Sequence, residues 1–231
     1  FILAATPSGV SLAPEGGAHQ STIAPSVGRE LPGVTLIEPA YAAALDWLLC
    51  DALGHIAAGP SATTTAAPYD DGAYYLRLTT RPIDQSPFEA ARTRIGDAVL
   101  RRQVLAGAYR LVDAFEAHPE LLADEGVPVP TVHLAASGAV LPEVLAAADE
   151  LAEEGVAAHV VDVTSLDRLY VAWQRTLRQA VRTATTPSVP GALRAAFPEA
   201  APVVTVHDGA SHAMAWLGSA LGTPCVPLGV D

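Results

Sequence analysis

Lysine is absent from all 231 residues, so every one of the 13 basic side chains is an arginine. That excludes the phosphate-binding lysine of P-loops, Schiff-base lysines and lysine general bases in one step. Cysteine occurs only as Cys50 and Cys225, too few and too far apart for a disulfide framework or a CxxC metal site. Both read as buried thiols of a reducing compartment. No uncharged apolar run reaches the length that crosses a bilayer, and no basic leader precedes a short apolar stretch. Basic charge is scarce as well: 25 acids leave a net charge of −12, so nothing forms the basic stripe that tracks a phosphate backbone. Half the residues are hydrophobic and only 16% are charged, too apolar for a disordered chain and enough for a sizeable core. At about 150 residues per domain the length predicts one large domain or two small ones. The expectation is an acidic cytoplasmic protein with neither nucleic acid nor membrane as partner.

Apolar runs stand at both ends, Phe1–Thr6 (FILAAT) and Cys225–Val230 (CVPLGV), and both read as buried strands. Native termini are usually polar and mobile, so this pattern predicts a fragment cut from a longer polypeptide inside its domains. Between them, Val34–Glu38 reads as a strand and Tyr41–Ala58 as a helix on the spacing of Leu45, Leu48, Leu49 and Leu53. Residues 57–72 read as a loop, and Tyr74–Thr80 as a strand stopped by Arg81-Pro82. A proline-punctuated stretch follows, read as irregular with short strands at Ala98–Leu100 and Arg110–Val112, and a domain boundary is placed near residue 90. The second half alternates strands (Thr131–Ala136, Ala158–Val163, Val203–Val206, Cys225–Leu228) with helices (Leu141–Glu154, Leu166–Thr183, Ser211–Leu221). Such alternation implies a parallel sheet with crossovers, covered on both faces.

Chemistry is densest in Glu15-Gly16-Gly17-Ala18-His19-Gln20, an acid, two glycines, an imidazole and an amide within six residues. Glycines let a ligand approach the main chain, and a histidine beside it can exchange a proton with an oxygen near neutral pH. A plain surface turn is the competing reading. His207-Asp208-Gly209-Ala210-Ser211-His212 contains the residue types of a hydrolytic triad. Adjacent residues rarely converge on one centre, so Asp208 or Ser211 is read as a helix N-cap, and the five-residue separation of the histidines argues against a metal. Ser137-Gly138 joins a strand to a helix where an anion could sit, without a dinucleotide or Walker pattern. Asp149, Glu150, Glu153 and Glu154 read as a solvated helix face, and Tyr74, Tyr75 and Trp173 as core. Arg77 and Arg81 lie in and after one strand; Arg81 either grips a substrate carboxylate or phosphate or forms a surface ion pair.

The runs PSGVSLAPEGGAHQS, PSVGRELPGVTLIEPAYAAALDWLL and YYLRLTTRPIDQ resemble the homodimeric decarboxylating component of the pyruvate dehydrogenase complex, and more broadly the transketolase superfamily of thiamine diphosphate enzymes. VTVHDGASHAMAWLGSALGTPCVPLGVD is similar to the superfamily's C-terminal domain. The resemblance implies an α/β fold of two parallel or mostly parallel sheets flanked by helices. Residues 1–90 would be the C-terminal part of a pyrimidine-binding domain and 91–231 a transketolase C-terminal-like domain. It implies thiamine diphosphate with Mg as cofactor, the metal site and the activating glutamate lying outside this chain. The family's acid-Gly-Pro-Thr-His-Gln motif aligns with Glu15 to Gln20, with Gly-Ala in place of Pro-Thr. By similarity His19 and Glu15 are catalytic, Gln20 binds substrate, and Arg81 is a further substrate ligand one position out of register.

The function so implied is decarboxylation of pyruvate or a related 2-oxo acid, with the acyl group passed to lipoate on an acyltransferase partner. A transketolase-like two-carbon transferase is one alternative, and a non-catalytic structural or dimerisation fragment another. A homodimer, or a complementary subunit carrying the diphosphate-binding domain, would complete the site.

Overall fold

The computed structural model describes residues 1–6, 9–16, 21–23, 26, 30–59, 72–122 and 128–230. Strands β1 (Ile2–Ala5), β2 (Val34–Ile37) and β3 (Ala73–Arg77) form a parallel sheet in the order β1-β3-β2. Helix α1 (Ala42–Ala58) follows β2; its first amide, at Ala42, donates to Gln85 Oε1 at 2.9 Å, because no side chain of its own N-cap supplies an acceptor. Its buried stripe is Ala44, Leu48 and Ala52, one residue per turn, while Leu53 is exposed.

Two helices, α2 (Ser86–Ile95) and α3 (Asp97–Ala106), occupy the stretch expected to be irregular, and Ala98–Leu100 is helical. The prolines misled because Pro87 sits in the first turn of α2, where its missing N–H has no intrahelical partner to lose. Gly96, at φ 87°, separates the two helices, and Gly107, at φ 114°, ends the second in the left-handed region.

The larger sheet contains β4 (Ala108–Val112), β5 (Thr131–Ala136), β6 (Ala157–Val163), β7 (Val203–Val206) and β8 (Cys225–Leu228), in the order β4-β6-β5-β7-β8. All pairings are parallel except β4 with β6, which is antiparallel and carries a bulge between Arg110 and Val112. Helices α4 (Ala114–Ala117), α5 (Leu141–Glu153), α6 (Leu166–Thr183), α7 (Gly191–Ala196) and α8 (His212–Leu221) complete the chain. Two mostly parallel sheets flanked by helices are the α/β architecture the sequence implied. All seven residues of β6 are buried, as its near-continuous apolar run requires of a central strand covered on both faces. The terminal runs depart from expectation: β1 and β8 are edge strands, leaving Phe1, Leu3, Val226 and Leu228 exposed.

One hydrophobic cluster draws on both sheets, joining Ile37 and Leu76 to Leu111, Leu134 and Val160. Phe88 stands at its centre, its ring 5.4 Å from Tyr41, 5.6 Å from Trp47 and 5.9 Å from Tyr109 between centroids. Strand β2 is stitched to the exit of β6: Glu38 N–H donates to the Thr164 carbonyl (2.9 Å), Ser165 Oγ to the Leu36 carbonyl (2.7 Å), and Leu36 N–H to Asp167 Oδ2 (2.5 Å). These bonds place the C-terminal end of β2 over the C-terminal ends of the large sheet's strands.

Candidate functional site

Ligand crevices in parallel α/β sheets lie beyond the carboxyl ends of the strands. Here that place is filled by charged groups of the chain itself. Glu38, directly after β2, meets Arg77, the last residue of β3, and Arg77 Nη1 donates to Glu38 Oε1. Arg77 Nη2 donates to the Asp208 carbonyl at 2.6 Å and to Asp208 Oδ2 at 3.2 Å. His207, which precedes Asp208 at the exit of β7, places Nε2 3.3 Å from Glu38 Oε2. All four residues are buried, none more than 4% exposed. Burial alone would push the Glu38 carboxyl up; the Arg77 charge and the His207 and Arg77 hydrogen bonds outweigh it and hold it below the ordinary carboxylate range. Glu38 also lies against Gly138, where an added Cβ would stand 2.9 Å from Glu38 Cγ. The strand exit at Ser137-Gly138, considered from sequence as an anion site, therefore already holds a carboxylate.

Asp208 reaches out of this cluster to the turn that ends at Glu15. Residues Val10–Glu15 form a 3-10 turn; Ser11 N–H donates to Asp208 Oδ1 (3.2 Å) and Ser11 Oγ to Asp208 Oδ2 (2.5 Å). The expected N-cap role of Asp208 or Ser211 is not what the structure contains: Ser211 heads α8 without a side-chain cap bond, and Asp208 is buried on Arg77 and Ser11. A carboxylate with a buried guanidinium and a hydroxyl in reach gains more there than from one exposed amide.

Of the residues chosen from sequence, Glu15 is exposed at the end of this turn, and His19 and Gln20 lie outside the described residues. Arg81, just past β3, donates through Nη1 to Glu143 of α5 at 2.7 Å, both side chains being largely solvated. Among the described residues no hydrogen bond or ion pair joins Glu15 to Arg81. A cavity of about 610 Å³ opens at the opposite end of β2, near Val34 and Thr35, between Asp51, His55, Arg168 and Arg175; neither Glu15 nor Arg81 lines it.

A second buried polar group went unread in the sequence. Asp162 in β6 accepts the Tyr109 hydroxyl at 2.8 Å, and burial pushes its carboxyl up to about 7, the tyrosine bond lowering it and the Glu38 charge adding to the rise. His133 and His159, opposite one another in β5 and β6, have rings 5.5 Å apart. Burial lowers both, His159 to about 4 with Arg110 adding to the effect. The signal for these groups was present as single polar residues inside apolar strands, TVHLAA and AAHVVDV, which the strand pattern alone does not explain.

Residues 124–189 match the family model of the transketolase C-terminal domain, a stretch that includes β5, α5, β6 and α6. No curated protein matches the chain. Among solved structures the chain is similar to transketolase from Campylobacter jejuni, with a TM-score of 0.60 and 16% identity over 100% of this chain and 27% of that one. The Pichia stipitis transketolase complex with sedoheptulose-7-phosphate gives a TM-score of 0.59 at 15% identity over 98% of this chain and 25% of that one. Transketolase from Leishmania mexicana gives 0.50 at 21% identity over 90% and 23%. The chain thus spans about a quarter of the length of these transketolases, and at such identities the likeness is one of fold. The transketolase superfamily resemblance of the C-terminal portion is borne out by the family match and by this shared fold.

Proposed function

We propose that this chain is part of a thiamine-diphosphate-dependent enzyme that decarboxylates pyruvate or a related 2-oxo acid and passes the acyl group to lipoate. Residues 1–90 would complete a pyrimidine-binding domain and 91–231 a C-terminal domain, in a homodimer or with a complementary subunit that carries the diphosphate-binding domain. The correspondence of the whole chain with a transketolase segment supports a thiamine diphosphate enzyme, and the choice of pyruvate and lipoate rests on the runs PSGVSLAPEGGAHQS and YYLRLTTRPIDQ, which resemble the pyruvate dehydrogenase component.

Among the described residues, the resemblance places Glu15 and Arg81 toward the substrate, not the cofactor. Glu15 is an exposed carboxylate on a turn that follows a parallel strand, so a ligand seated against that edge can reach it. The resemblance assigns the Mg and the diphosphate to residues outside this chain. When bound, thiamine diphosphate supplies a nucleophilic ring carbon and an electron sink. The chain's own contribution is to the substrate. His19 would donate a proton to the substrate oxygen that gains negative charge, Gln20 would donate an amide N–H to another substrate oxygen, and Glu15, as a carboxylate, would accept from a hydroxyl of the substrate. Arg81 would bind the substrate carboxylate only after leaving Glu143.

The test is the complete enzyme supplied with pyruvate and a lipoyl domain. CO2 release and acyl-lipoyl formation, both dependent on thiamine diphosphate, are expected. Turnover of ketose phosphates with none of pyruvate would assign it to two-carbon transfer instead, and no thiamine diphosphate-dependent activity would leave a structural fragment.

A further inference from the structure

The geometry points to Asp208 as a positioning residue that fixes the turn Val10–Glu15 and thereby the place of Glu15. Segment 208–210 holds this region at two separated points. Asp208 takes both the amide and the hydroxyl of Ser11 on its two carboxylate oxygens, and eleven residues further on the Thr22 carbonyl accepts from Ala210 N–H at 2.8 Å. A six-residue 3-10 turn with Pro14 inside has few hydrogen bonds of its own, so its position is set by what it is tied to. The tie is rigid at its other end. Asp208 is fully buried and held by two Arg77 bonds; Arg77 is shared with Glu38, and Glu38 with His207. Gly9 permits the close approach, because any Cβ there would overlap the Asp208 carboxylate. Sequence order hides this arrangement, since 197 residues separate Ser11 from Asp208.

The effect on catalysis rests on the function proposed above, whereas the anchoring does not. Both are read in the complete enzyme with Ser11→Ala, which removes one bond to Asp208 and leaves the buried charges in place. Amide hydrogen exchange in peptides covering residues 9–16 should accelerate about tenfold or more, as loss of a charge-assisted hydrogen bond entails. The thermal midpoint should stay close to that of the wild type, kcat should fall about tenfold with KM changing less, and Ser11→Thr should restore both exchange and kcat. Unchanged exchange in Ser11→Ala overturns the anchor, and accelerated exchange with unchanged kcat overturns the positioning role. If the wild type has no thiamine diphosphate-dependent turnover and exchange still accelerates, the anchor stands and the proposed function falls.

Discussion

Asp162 and His159 sit in the same strand, β6, and burial drives them toward neutrality from opposite sides. Asp162 titrates near 7 in the folded chain and near its ordinary value of 3.8 when unfolded, so between these values the folded state holds the extra proton and stability falls as pH rises. His159 titrates near 4 folded and near 6.5 unfolded; its contribution is complete above 6.5 and is lost as pH falls toward 4. The stability gained by Asp162→Asn over the wild type should therefore grow from pH 4 to pH 7 and then level off. Urea midpoints at three pH values measure this, and a gain independent of pH would refute the elevated carboxyl. Gly138 offers a second residue-level expectation. Its φ of 60° and the nearby Glu38 leave no room for a methyl group, so Gly138→Ala should cost about 1–3 kcal/mol by the same measurement.

Between elements, the interaction that joins β2 and β3 of the small sheet to the exit of β7 is the Glu38–Arg77–Asp208 triad. Replacing Arg77 with Met keeps much of the side-chain volume and leaves two buried carboxylates without their cation. A loss of about 3–5 kcal/mol is expected in denaturant unfolding. A loss below 1 kcal/mol would mean that the triad does not hold the sheets together. Some elements were legible from local pattern: the β-branched runs of β6 and β7, together with β5 and helix α6, fall within a residue or two of the expected limits. Helices α2 and α3 were not, because prolines that open a helix and prolines that interrupt one look alike until a core exists for Phe88 and Leu100 to enter.

At the scale of the whole molecule, the hydrophobic cluster that crosses from one sheet to the other implies that the chain unfolds as one cooperative unit despite its two sheets. Calorimetry should give a single transition; two resolved transitions would show that the sheets are energetically separate. Under the function proposed above, His19→Ala in the complete enzyme should lower kcat about 100-fold or more with thiamine diphosphate affinity little changed. Wild-type-like turnover would remove His19 from the mechanism.

The sequence by itself determined the kind of element at most positions, the mostly parallel α/β class and the motif from Glu15 to Gln20, because hydrophobic period and local residue type are properties of neighbours along the chain. Which charges meet was decided only by the tertiary structure. Arg77, read from sequence beside Arg81 at a strand end, became a buried partner of Glu38 and Asp208, while Arg81 went to the surface with Glu143. Asp208, read as a cap, became the acceptor of a serine 197 residues away. A buried ion must find an opposite charge or a donor wherever the folded chain brings one, and that distance is set by the packing of sheets, not by spacing in sequence.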